Sequence, residues 1–108
     1  MLEQEEYKIV SFLFLQKITE MRIEIEQPEQ EELEEAGVFS WPVWEHEEDK
    51  LEWYYDKTEQ CYIVEGSATI ISEFDSLTIK PGDFLTLPAG LECVWDIQNK
   101  IKKHYSVE

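Results

Sequence analysis

The stretch Gly82-Asp-Phe-Leu-Thr-Leu-Pro88-Ala-Gly90 constrains the fold more than any other part of the chain. Glycine at one end and proline-x-glycine at the other bracket an apolar run with room for one short buried strand. Upstream, Glu59-Gln-Cys-Tyr-Ile-Val-Glu-Gly66 forms a second strand pattern that also ends on glycine. Short strands at close intervals, punctuated by glycine and proline, predict an antiparallel sandwich or barrel.

The rest of the chain fits that rhythm. Arg22 to Glu26 alternates in the period-two pattern of a half-buried strand. Pro28 to Gly37 predicts a short acidic helix, with Pro28 suited to its first turn, Leu33 and Ala36 as its apolar face and Gly37 as its stop. From Val38 onward the pattern is strand and turn. Phe39 to Glu45 sets Trp41, Val43 and Glu45 on one face, and Pro42 points to a sheet edge. Further strands are predicted over 51–55, 59–65, 67–73, 77–80, 83–87, 92–97 and 101–107. The chain divides into an N-terminal extension, residues 1–20, and one domain over 21–108. The extension is either an extra strand that pairs with another subunit or a product of an early start site.

The 108 residues suit a single domain. Twenty-five acidic residues against nine basic ones leave a formal net charge of −16. Nucleic acid or an anionic membrane surface would repel such a chain, so neither is an expected partner. Solubility is the plain reading of the acidity, and a cationic substrate or partner is the other. The apolar run Ile9 to Leu15 is too short to span a bilayer, and Glu3, Glu5 and Glu6 precede it where a signal peptide needs positive charge. Two cysteines, Cys61 and Cys93, do not make a disulfide framework, and a cytoplasmic location follows as the expectation.

The spacing of Gly82, Pro88 and Gly90 resembles the second motif of the cupins, G-x5-P-x-G-x2-H-x3-N. Glu59 and Gly66 resemble the end of the first, H-x-H-x3/4-E-x6-G. The resemblance implies an all-β cupin, a jelly-roll β-barrel, here with a short N-terminal helix. In that family two histidines and a glutamate of the first motif, with a histidine of the second, hold a divalent metal. In this chain the glutamate is present as Glu59. The first-motif histidine positions fall on Trp53 and Tyr55, or with the longer spacer on Glu52 and Tyr54; the second-motif histidine and asparagine positions carry Cys93 and Ile97. A stable site needs three or four suitable ligands, so a divalent metal is disfavoured and no cofactor is expected. The runs Glu52 to Asp56, Glu59 to Gly66 and Lys103 to Tyr105 further resemble small single-domain, RmlC-like cupins grouped with the ureidoglycine aminohydrolase cupin domain.

Strand alternation predicts a barrel pocket made of Trp53, Tyr55, Glu59, Cys61, Cys93 and Trp95, with Phe84 or Thr86 from the neighbouring strand. Aromatic walls can stack a small planar or cationic ligand, contributing about 0.5–2 kcal/mol per cation–π contact. Side chains alone can equally fill a small barrel. Buried Glu59 needs a hydrogen-bond partner, which Tyr55 or a Trp indole N–H could supply. Three functions follow: a metal-free cupin that binds a small metabolite; a hydrolase or isomerase of small nitrogenous or sugar-like compounds, with Glu59 as general acid/base and Tyr55 or Cys93 assisting; and a non-catalytic scaffold. Cys61 and Cys93 are read as buried hydrophobes, or as a facing pair able to form a disulfide or a reactive thiol. His46 is expected in an exposed acidic turn, and His104 as a structural or partly exposed side chain. A homodimer is the expected assembly, since cupins pair through edge strands.

Overall fold

Two long strands, each bent near its middle, organise the molecule. In the computed structural model, which describes residues 20–108, β4 (Glu59–Ser72) and β7 (Glu92–Val107) pair antiparallel along most of their length. Each contributes to both layers of the barrel. The first half of β4 pairs with β6 (Phe84–Leu87) and with the second half of β7. Beyond them lie β1 (Glu24–Glu26), beside β6, and β2 (Val43–His46), beside β7. The second half of β4 pairs with β5 (Ser76–Ile79) and with the first half of β7, which in turn pairs with β3 (Asp49–Tyr54). Every pairing is antiparallel, as the turns and alternation predict, and the architecture is the jelly roll that the motif resemblance implies.

The sequence pattern divides β4 and β7 into separate strands at Gly66 and near residue 100; the structure joins the halves. Register shifts between Ile63 and Ala68 let β4 bend without ending, which is what bulges do in a strand that passes from one layer to another. Gly66 makes the bend possible. Its φ is +91°, and a Cβ there would collide with the backbone carbonyl of Lys100 and lie 2.7 Å from that of Asn99. Only glycine tolerates that close approach without strain.

The acidic helix is α1 (Gln30–Glu35), shorter than Pro28 to Gly37 and anchored by the buried Leu33. Residues Val38–Ser40 form one 3-10 turn, so the strand expected from Phe39 begins only at Val43. Pro42 explains the delay, since it lacks an N–H and its carbonyl instead accepts from the Tyr105 backbone N–H at 3.0 Å. Residues 1–19, which hold nearly all of the expected N-terminal extension, lie outside the described residues.

The core alternates along β4, β6 and β7. Cys61, Ile63, Leu85, Leu87, Ile97 and Ile101 are all fully buried or nearly so. Because Cys61 lies opposite Leu85, and Glu59 opposite Leu87, the inward residues of β6 are Leu85 and Leu87. Phe84 and Thr86 therefore face outward, against the expectation for the pocket, and Phe84 meets Trp41 at 6.1 Å between ring centroids.

Candidate functional site

Period-two alternation on three strands converges on one end of the barrel. On β7, Ile101, Lys103 and Tyr105 point inward, set opposite His46, Trp44 and Cys61 on the neighbouring strands. On β3, Leu51 and Trp53 share the face of Trp95 and Cys93. Tyr55 follows β3, and the proline-x-glycine turn holds it. The Gly90 N–H donates to its carbonyl at 2.6 Å, and its own N–H donates to the Leu91 carbonyl at 2.9 Å. The turn that announces the fold thus also positions a side chain of the pocket.

These residues enclose a cavity of about 370 Å³, bounded by Trp44, Leu51, Trp53, Tyr55, Glu59, Trp95, Lys103 and Tyr105, with Tyr54, Asp56, Lys57 and Val107 also in its wall. Four of the six residues expected there, Trp53, Tyr55, Glu59 and Trp95, are present. Cys61 and Cys93 are not among its lining residues: Cys61 is fully buried, and Cys93 borders a separate depression with Glu52, Trp53 and Tyr54.

At the base of the cavity sits a buried ion pair. Lys103 Nζ donates to Glu59 Oε2 at 2.8 Å, and both residues are almost inaccessible, 6% and 7% exposed. The ammonium lies 4.7 Å from the ring centroid of Trp95 and 5.1 Å from that of Trp44, between two indoles that favour a cation. Neither Tyr55 nor an indole N–H serves Glu59, contrary to the sequence expectation. Trp95 Nε1 donates instead to the Tyr55 hydroxyl at 3.0 Å.

Burial, reinforced by the negative charge of Glu59, raises the Tyr55 phenol well above its ordinary value, so it is a neutral hydroxyl at any physiological pH. Desolvation pushes the Cys61 thiol up to about 12 and Cys93 up to about 11; the Lys103 ammonium offsets only part of that shift. Both cysteines are free thiols. Desolvation therefore keeps the Cys93 thiol protonated, which is not the setting that activates a nucleophilic cysteine.

Lys103, Trp44, Leu51 and Tyr105 were not read from the sequence as site residues. The alternation Ile101, Lys103, Tyr105 carried the signal for Lys103, but the register that selects its face is set by β2 and β4. Trp44 lies on the face of β2 opposite to Trp41, Val43 and Glu45, the face that sequence reasoning followed. His46 ends β2 and stacks on Trp44 at 5.3 Å instead of standing free in a turn. His104 points outward, and its Nδ1 lies 3.0 Å from the Trp41 carbonyl.

The family model for the EutQ-like cupin domain matches residues 33–105. The chain belongs to this cupin family. No curated protein matches it. A DUF861 family protein from Thermotoga maritima is 40% identical to the cupin, with a TM-score of 0.78 over 81% of this chain and all of that one. The EutQ protein of Clostridium difficile is 18% identical, with a TM-score of 0.56; the match covers 60% of this chain and about half, 52%, of that one, and shows the fold alone. A DUF861 family protein of unknown function from Pseudomonas syringae pv. tomato is 25% identical, with a TM-score of 0.56 over 61% of this chain and 29% of that one.

The metal implied by the cupin motifs does not fit these residues. Trp53, Tyr55, Glu59 and Cys93 stand at the ligand positions, and an ammonium already occupies the one carboxylate. Among the described residues no group of three or more His, Cys, Asp or Glu is arranged to hold a metal ion. Nor is any helix among them long and apolar enough to cross a membrane.

Proposed function

We propose that this cupin binds a small planar metabolite in its barrel pocket without a metal. The observation that carries the reading is the pairing of an aromatic-walled cavity of about 370 Å³ with a buried ion pair at its base. That volume lies near the lower end of the about 300–1,000 Å³ common for ligand sites, which suits a single small ring. Trp53 closes one wall and is 42% exposed. A large aromatic kept half in water at the edge of an apolar cavity contributes little to the core and offers a face for stacking.

The finer resemblance to the ureidoglycine aminohydrolase cupin domain belongs to an enzymatic version of this reading. Glu59 would then act as general acid/base and Tyr55 would donate a hydrogen bond, since both line the same cavity. Cys93 has the weakest part in it, given its raised thiol and its place outside that lining.

A metabolite screen read by calorimetry tests the proposal with the parent protein and a Trp53→Ala variant. Trp53→Ala folds with stability within about 1 kcal/mol of the parent, as expected for a half-exposed residue, and weakens ligand binding about tenfold or more. A ligand held equally well by both proteins, or a screen without any ligand, would sink the proposal.

A further inference from the structure

The ion pair says what kind of ligand the pocket accepts, provided the binding reading above holds. The Lys103 ammonium has three N–H donors, and one of them goes to Glu59 Oε2. Among the described residues no other oxygen or nitrogen accepts from it; the remaining donors meet two indole faces and the cavity. Glu59 Oε1 likewise receives no hydrogen bond from the described residues. Yet no fully buried side-chain oxygen or nitrogen of the described residues lacks a partner, so Oε1 is not sealed in the core, and Glu59 lines the cavity. The cavity floor thus presents an ammonium donor and a carboxylate acceptor side by side.

The pair is electrically neutral, and this decides between ligand charges. A bound anion would place a second negative group beside Glu59 and leave one uncompensated charge in a nearly dry site. A bound cation would do the same with opposite sign beside Lys103. Either arrangement costs far more than a neutral group that satisfies both partners by hydrogen bonding. We propose that the Glu59–Lys103 pair reads the edge of an uncharged planar amide, whose carbonyl accepts from Lys103 while its adjacent N–H donates to Glu59. Trp44, Trp53 and Tyr105 enclose the ring that carries this edge. The chain thereby sets its own cation on the motif glutamate and uses the pair to select a polar, uncharged ligand.

Three probes of nearly one shape separate the possibilities: benzamide offers acceptor and donor, benzoate two acceptors, and benzamidinium two donors. Titration calorimetry of the parent protein is expected to show benzamide bound at least about tenfold more tightly than either ion, the scale of losing one hydrogen bond to a charged partner. The double substitution Glu59→Gln with Lys103→Met replaces the pair by uncharged groups of similar size and is expected to fold. In it the preference for benzamide falls to within about threefold, a change of under one hydrogen bond.

Tightest binding of benzoate would make Lys103 a lone anion receptor and overturn the proposal; tightest binding of benzamidinium would do so in favour of Glu59. An unchanged ranking in the double variant would place the probes elsewhere and also overturn it. If that variant does not fold, the ranking in the parent protein decides alone. No binding of the three probes beside Trp53-dependent binding of another metabolite removes the amide assignment and leaves the pocket reading intact. No binding in either experiment removes both.

Discussion

At the scale of single residues, three buried charged side chains show how the fold accommodates polarity. Lys103 and Glu59 compensate each other inside the barrel, whereas Asp83 is held by a ring of donors in the β5–β6 turn. The Lys80 backbone N–H donates to Asp83 Oδ2 at 2.9 Å, while Gln27 Nε2 and Lys80 Nζ donate to Oδ1 at 3.0 and 3.2 Å. Burial alone would disfavour ionisation, but these hydrogen bonds outweigh it and bring the carboxyl below its ordinary range. The folded state thus binds a proton less readily than the unfolded chain. The stability from Asp83 is fully present above the unfolded value of about 3.9, and is lost as pH falls through the lower folded value. Asp83→Asn is expected to lower stability by about 1–3 kcal/mol at pH 7 through its impaired hydrogen bonds. Urea denaturation across pH should show the two proteins converging in strongly acidic solution; a gap that stays constant would rule out this role for the charge.

At the scale of elements, the bends in β4 and β7 matter more than strand propensity. The glycine at position 66 was legible as a motif residue, but as the end of a strand rather than its pivot. Local pattern cannot distinguish a strand that stops from one that bends and pairs again, because the difference lies in the partner backbone at Asn99 and Lys100. Gly66→Ala adds a Cβ against that backbone at positive φ. The expected destabilisation is about 3 kcal/mol or more, since an unfavourable backbone conformation costs about 1–3 kcal/mol before any collision. Chemical denaturation of the variant checks this, and a loss below about 1 kcal/mol would mean that the bend relaxes freely. The same element-level logic explains the missed Trp44 and Lys103. Alternation assigns residues to two faces, while the neighbouring strands decide which face is inside.

At the scale of the whole molecule, charge and architecture act separately. A net charge of −16 on 108 residues makes the folded state repel itself. Raising ionic strength from about 0.01 to 0.15 M shortens the Debye length from about 30 to 8 Å, so thermal stability should rise with sodium chloride over that range. A melting temperature that falls with salt would show that the surface ion pairs, such as Lys100 with Glu45 and Glu47, outweigh the repulsion. The sequence by itself determined an antiparallel β-fold, the motif glycines, the place of Glu59 and the aromatic character of the pocket, because turns and alternation are local properties of a chain. The resemblance of its spaced motifs to the cupins narrowed that fold to a jelly roll. Only the tertiary structure decided that Lys103 meets Glu59 between two indoles and that the cysteines stand outside the pocket wall. Those facts depend on register between strands more than forty residues apart in the chain, and one residue of slippage would reverse every face.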